Sequence, residues 1–312
     1  MTDTPFPRAE PEGAPAPATA PASVLACCST VYGSPLAELL VGDSLHPGGL
    51  QSTRHLLEAS KLRPGARLLD AGCGLGASSR LAAAAFGLTV DAVDASRNVL
   101  ARLEARPTTE RIRWVEADLL ALPYPAAAFD GVLAECVLST VPRATALDEL
   151  ARVMRPGGML LLSDVVVAGD SIPALADHQL LGAALCVTDA WRPGELEALL
   201  RAAGFTIERR WELTRSILAL VDRVEARIGF AAVAARDLGL DLAVLAGEGA
   251  DGPDAFRPEQ AHRLANEIRS AVRRGDLRYV AVVARAGGQR RGRSSVSKHT
   301  ASSAERPQAV GP

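Results

Sequence analysis

At residues 68–77 an apolar run stops at Asp70 and gives way to three glycines, Gly72, Gly74 and Gly76. An Ala- and Leu-rich helical pattern follows from Ser78. Glycine adopts backbone conformations closed to other residues and lets another group come close. A glycine turn between a buried strand and a helix start is the junction where open α/β sheets bind nucleotide-like cofactors. This stretch therefore points to an α/β architecture. Alone it does not choose the ligand, because a Gly-x-Gly-x-x-Ala run also fits a dinucleotide site.

The rest of the chain repeats the alternation of apolar run and helical pattern. Strands are expected at 66–71, 89–94, 112–118, 129–136 and 159–165, with helices at 77–86 and 144–154 and Ser96 as the N-cap of the helix after strand 2. The Arg155-Pro156-Gly157-Gly158 turn ends the second of those helices. A helix at 194–203 leads to strand 6 at 204–211, and strand 7 is expected at 277–284. The pattern predicts a Rossmann-like, doubly wound α/β fold. Its sheet has seven mostly parallel strands, an antiparallel last strand, and a helical insertion between strands 6 and 7. The expected organisation is a Pro/Ala-rich disordered leader (1–23), a helical segment over the site (24–60), a core (61–212), a helical cap (213–275), the final core strand (276–286) and a disordered tail (287–312).

Composition removes several function classes. A formal net charge of −2 gives no global case for nucleic-acid binding. No apolar run is long enough to span a bilayer, and the leader lacks the basic start and apolar block of a signal peptide. Cys27, Cys28, Cys73, Cys136 and Cys186 show neither a C-x-x-C spacing nor an even-numbered framework, so reduced thiols and a cytoplasmic location are expected.

Four ordered motifs resemble the class I S-adenosylmethionine (SAM)-dependent methyltransferases over roughly 45–286: LLDAGCGLG, VDAVDAS, VEADLLALPYPAAAFD and ARVMRPGGMLLLSDV. The resemblance implies SAM as cofactor and a small-molecule methyl acceptor. Gly72 and Gly74 would admit its methionine and ribose part, with Asp70 just before them. Asp94, followed by Ala95, would accept both ribose hydroxyls, Asp118 the adenine amine, and Leu119 would pack on the ring. Glu135 would hold the ammonium group or steer a cationic acceptor. The fold-level rival is a nicotinamide dehydrogenase.

Around strand 4 the chain also resembles the arsenite methyltransferases, through Glu135-Cys136-Val137-Leu138, Ser163-Asp164-Val165, Ile172-Pro173, Cys186 and Ala203-Gly204-Phe205. That resemblance implies Cys136 and Cys186 as ligands of trivalent arsenic, with Cys27 or Cys28 completing the set. Soft thiophilic centres choose thiolates, and an arsenic lone pair needs no general base. The chain departs from that family in having Glu135 where Asn is usual and no Gly-Gly-Ala after Cys186. Cys73 is expected only to fill space in the turn. An O-, N- or C-methyltransferase of small-molecule biosynthesis stays open, with His46 as a base or as part of a turn, and Tyr32 and Trp191 as pocket walls. So does a non-catalytic SAM or metalloid sensor.

Overall fold

The structure, a computed structural model, describes residues 42, 44, 46–106, 109, 111–168, 187, 189–238 and 258–287. The first helix is α1 (Gly49–Ser60), followed by β1 (Arg67–Ala71), α2 (Ala77–Phe86), β2 (Thr89–Asp94), α3 (Arg97–Glu104), β3 (Ile112–Glu116) and β4 (Phe129–Glu135). A short 3₁₀ turn (Leu138–Thr140) leads to α4 (Arg143–Val153), β5 (Met154–Val167), α5 (Glu195–Ala202) and β6 (Phe205–Glu212). Then come α6 (Arg215–Leu238), α7 (Pro258–Arg274) and β7 (Leu277–Ala286).

Successive strand residues face opposite sides of a sheet, and here both sides are covered. Leu69, Val132, Leu160 and Leu162 pack with Leu147 and Leu150 of α4 and Leu196 and Leu200 of α5. Leu68, Leu133 and Leu161 pack on the other side with Leu56 of α1, Ala82 of α2 and Leu103 of α3. Burial on both faces explains why these strands read as unbroken apolar runs. The order is β3-β2-β1-β4-β5-β7-β6. β1 to β5 run parallel, and β7 is antiparallel to both its neighbours, as expected. Helices α6 and α7 insert between β6 and β7 and pack on each other and on β7.

Local signals held where their chemistry was local. Ser96 caps α3, its Oγ accepting from Val99 N at 3.4 Å. The Arg155–Gly158 segment differs from expectation: β5 already starts at Met154, opposite Phe129, and the next registered pair is Gly131 with Met159. The turn is thus a bulge within the strand. A Cβ at Gly158 would come within 3.0 Å of the Asp130 carbonyl oxygen, so the chain passes too close to β4 for any other residue.

Beyond Ser163, which pairs with Glu135 at the end of β4, β5 runs on through Val165 and Val167 against Tyr279 and Leu277 of β7. This two-stranded ledge stands above the carboxyl edge of the parallel sheet. Its apolar side chains are covered by Ile217 of α6 and Leu264, Ile268 and Ala271 of α7. Among the described residues no helix is long and apolar enough to cross a membrane.

Candidate functional site

The turn joining β1 to α2 holds Gly72, Gly74 and Gly76 at φ of 73°, 49° and 72°. The amides of Gly72 and Cys73 both donate to Val93 O at 2.9 Å. Asp94, at the end of β2, closes the turn: Oδ2 accepts Gly74 N at 3.0 Å and Oδ1 accepts Ser96 N at 2.8 Å. The close approach that requires glycine comes from the protein itself. A Cβ on Gly72 would lie 2.4 Å from Val137 Cγ2, and one on Gly76 2.5 Å from Trp114 Cη2.

Two further carboxylates stand beside this turn. Asp70 is 3% exposed and accepts from Ser79 Oγ. Burial pushes its pKa up to about 7 against the pull of that hydroxyl, and the charges of Glu135 and Asp94 push the same way. Glu135, at the end of β4, accepts from Ser78 Oγ at 2.7 Å and Thr53 Oγ1 at 2.9 Å, with His46 Nε2 at 3.3 Å. Its side chain is 5% exposed, so it is not a solvated strand-end charge. Burial raises the pKa of Asp94 against its backbone hydrogen bonds.

His46 links this group to the ledge. Its Nδ1 lies 3.4 Å from the Tyr279 hydroxyl, which donates to Ser163 Oγ at 2.7 Å. Alongside is a cavity of about 100 Å³ lined by Glu225 and by apolar residues including Pro47, Val165, Val187, Ile217, Leu264 and Leu277. Cys136 is half-buried, sits at φ 52°, and packs on the same apolar cluster as Tyr279.

The other expected residues fall as follows. Asp118 is exposed two residues past the end of β3, with Oδ1 accepting Leu120 N at 2.9 Å, and Leu119 is buried in the core. Ala95 is exposed beside Asp94. Cys73 is buried among α1, α2 and strand residues, filling space as expected. Trp191 is not a pocket wall: it bridges to Val166, is fully buried, and stacks under the Arg143 guanidinium at 4.6 Å. Cys27, Cys28, Tyr32 and Cys186 lie outside the described residues. Among the described residues no group of three or more His, Cys, Asp or Glu side chains could hold a metal ion. Sequence reasoning missed Thr53, Ser78, Ser79, Ser163 and Tyr279. The adjacent serines opening an Ala-rich helix, and a lone tyrosine in a valine-rich strand, were the available signals.

The buried acids set a pH dependence. Asp70 and Asp164 have pKa values of about 7 and about 6, both raised chiefly by burial from 3.8. The folded state thus holds protons that the unfolded chain releases, so this stability is full below pH 3.8 and is lost as pH rises through 6 and 7. Glu149, lowered by Arg152, acts oppositely and loses its contribution as pH falls below its ordinary range. Thermal melts should therefore give a higher Tm near about pH 5 than near about pH 8, with the difference smaller in Asp70→Asn.

Comparison with known proteins narrows this geometry. Residues 69–162, spanning the glycine turn, all three carboxylates and Cys136, match the methyltransferase domain family. The chain is 35% identical to methyltransferase GfsG of Streptomyces halstedii over 132 residues, 41% of this chain and 48% of that protein. It is 32% identical to the 27-O-demethylrifamycin SV methyltransferase of Amycolatopsis mediterranei, over 46% of this chain and 59% of that protein. The chain thus spans about half the length of the first relative and under two thirds of the second. Around the matched segment the fold resembles the Haemonchus contortus phosphoethanolamine N-methyltransferase 2, solved with S-adenosylhomocysteine (TM-score 0.63, 20% identity, 86% of this chain and 61% of that one). It also resembles the [4+2]-cyclase SpnF (TM-score 0.56, 24% identity, 76% of this chain and 80% of that one). These two likenesses establish the fold. SpnF, a cyclase by name, illustrates that a fold does not dictate its reaction.

Proposed function

We infer that the chain is a SAM-dependent methyltransferase acting on a small organic molecule. The observation that carries this reading is the charge around the glycine turn. A dinucleotide site places an anionic pyrophosphate at this helix start and shares an acid at the position of Asp94, but here Glu135 and Asp70 add further carboxylates beside it. Such a site repels phosphate and gains from a cation. SAM fits that set, carrying an ammonium and a sulfonium.

In this reading Gly72 and Gly74 border the methionine part, and Asp70 and Glu135 face its positive charge. Asp94, each of whose oxygens takes one backbone N–H, keeps a lone pair per oxygen for the two ribose hydroxyls. Ala95 and Leu119 flank the adenine and Asp118 accepts its amine. When bound, SAM supplies an electrophilic methyl group. The protein's own work is orientation and exclusion of water: α1 is tied across the site through Thr53 and His46 to Glu135, and the apolar ledge receives the acceptor. The relatives' names, one of them a 27-O-demethylrifamycin SV methyltransferase, support an organic acceptor. A cytoplasmic setting rests on the cysteine spacing, which shows no even-numbered framework.

The arsenical reading, with As(III) on Cys136, Cys186 and Cys27 or Cys28, rests on the position of Cys136 beside the ledge. One experiment separates the two. Full-length protein is incubated with SAM and either arsenite plus a thiol reductant or a panel of hydroxylated organic acceptors, and S-adenosylhomocysteine is measured. We expect turnover with organic acceptors, and turnover in Cys136→Ser within about twofold, as for substitution of a small buried side chain near neutral in cost. Methylated arsenic that disappears in Cys136→Ser would replace this reading with the thiolate one. SAM binding without transfer to any acceptor would make the protein a sensor.

A further inference from the structure

We propose that the amino edge of the sheet carries a second binding site, built for a phosphate group, free or esterified. The glycine turn and its carboxylates stand at the opposite, carboxyl edge. Asp130 lies near the start of β4 and Glu135 ends it, so about 17 Å of strand separates the two places. The second site therefore stands independently of the methyl-transfer reading.

A cavity of about 520 Å³ opens at this edge. Four cations line it, Lys61, Arg155, Arg209 and Arg285, against two carboxylates, Asp130 and Glu208. This local excess of positive charge stands on a chain whose formal net charge is −2. Both carboxylates are already engaged. Asp130 accepts Arg67 N at 2.8 Å through Oδ2 and pairs with Arg155 through Oδ1. Glu208 holds Arg285 Nε at 2.5 Å, and Arg285 Nη1 also donates to Gly157 O at 3.3 Å. Among the described residues, Lys61 and Arg209 have no acidic partner.

Irregular backbone brings these groups together. Successive strand residues face opposite sides of a sheet, yet Glu208 and Arg209 line one cavity, because the register with β7 slips between Ile207 and Arg209. A bulge of this kind re-aims a side chain. The β5 bulge supplies Arg155, and Arg285 of β7, opposite Met159 of β5 and Thr206 of β6, lies between the two bulges. Lys61 ends α1 at φ 56°, a position usually given to glycine. A cation there also suits a helix C-terminus, which accounts for Lys61 but not for Arg209.

Charge and room together choose the ligand. A phosphate monoester carries about −1.5 to −2 near pH 7, which matches the two unpaired cations, whereas a carboxylate carries a single charge. Arg209 offers a planar fork of donors and Lys61 a point charge, and both suit phosphate oxygens. The volume falls within the roughly 300–1,000 Å³ of small-molecule sites. It leaves space for an organic body against Leu62 and Met159.

The test is calorimetric titration of the full-length protein with phenyl phosphate, inorganic phosphate and benzoate. Arg263→Gln, which removes an exposed cation of α7, controls for net charge. Phenyl phosphate should bind at least about tenfold tighter than benzoate. Lys61→Gln and Arg209→Gln, both at exposed positions, should each weaken it about tenfold and together about a hundredfold. Arg263→Gln should change nothing, and SAM affinity should stay the same in every variant. Phenyl phosphate binding tighter than inorganic phosphate assigns an ester to the site, and equal binding assigns free phosphate. The proposal is overturned by no saturable binding of either phosphate up to about 10 mM, by equal binding of benzoate, or by a loss in Arg263→Gln as large as in Arg209→Gln. Absence of SAM binding in the wild-type protein would touch the methyl-transfer reading alone.

Discussion

Asp94→Ala should lower SAM affinity about a hundredfold while leaving the chain folded. The carboxylate is fixed by Gly74 N at 3.0 Å and Ser96 N at 2.8 Å, so it meets a ligand without first being ordered. Hydrogen bonds to a charged group contribute about 1.5–3 kcal/mol each. Two ribose hydroxyls then give at least about 3 kcal/mol, or roughly two powers of ten in Kd. Alanine also releases Gly74 N, so the turn loses its clasp together with its ligand contact. Titration calorimetry with SAM and with S-adenosylhomocysteine measures both. A loss of similar size for the two ligands places Asp94 on the shared nucleoside, whereas unchanged affinity for both would remove it from the site.

Gly72→Ala is the second large effect, and it acts through stability. A non-glycine residue at φ 73° costs about 1–2 kcal/mol from Cβ crowding. Its Cβ would stand 2.4 Å from Val137 Cγ2, and overpacking of this kind costs about 1–3 kcal/mol more. The sum, about 2–5 kcal/mol, should lower Tm on the order of 10 °C for a domain of this size. Adding Val137→Ala removes the Cγ2 contact but leaves the Cβ of residue 137 at 2.9 Å and the backbone strain in place, so the double variant should recover less than half the loss. Full recovery would mean that φ costs nothing here; no recovery would mean that Val137 is not the obstacle.

How far the sequence could be read depended on the range of each interaction. The strands were legible because burial on both faces leaves unbroken apolar runs, as at Leu160, Leu161 and Leu162. The places of Asp70, Asp94 and Glu135 were legible because each lies at or next to the end of a strand, on the carboxyl edge of the sheet. The hydroxyls that hold them were not. Thr53 reaches Glu135 across 82 residues and Tyr279 reaches Ser163 across 116, and no local pattern marks such pairs. Trp191 misled for the opposite reason: an aromatic near the expected mouth is drawn under the sheet by its bridge to Val166 and by Arg143. The glycines were read correctly as a tight turn, while the neighbours that forbid a side chain, Val137 and Trp114, come from distant segments. The thiolate set expected from Cys27, Cys28 and Cys186 lies outside the described residues, so Cys136 alone carries that idea into the structure.

The central claim is that Glu135 and Asp70 beside a glycine turn, in addition to Asp94, select a cationic cofactor over a dinucleotide. Side-by-side calorimetric titration of the full-length protein with SAM and with NADH tests it most directly. The account predicts saturable 1:1 binding of SAM that Asp94→Ala weakens about a hundredfold, and no binding of NADH. Saturable NADH binding with none for SAM would contradict it.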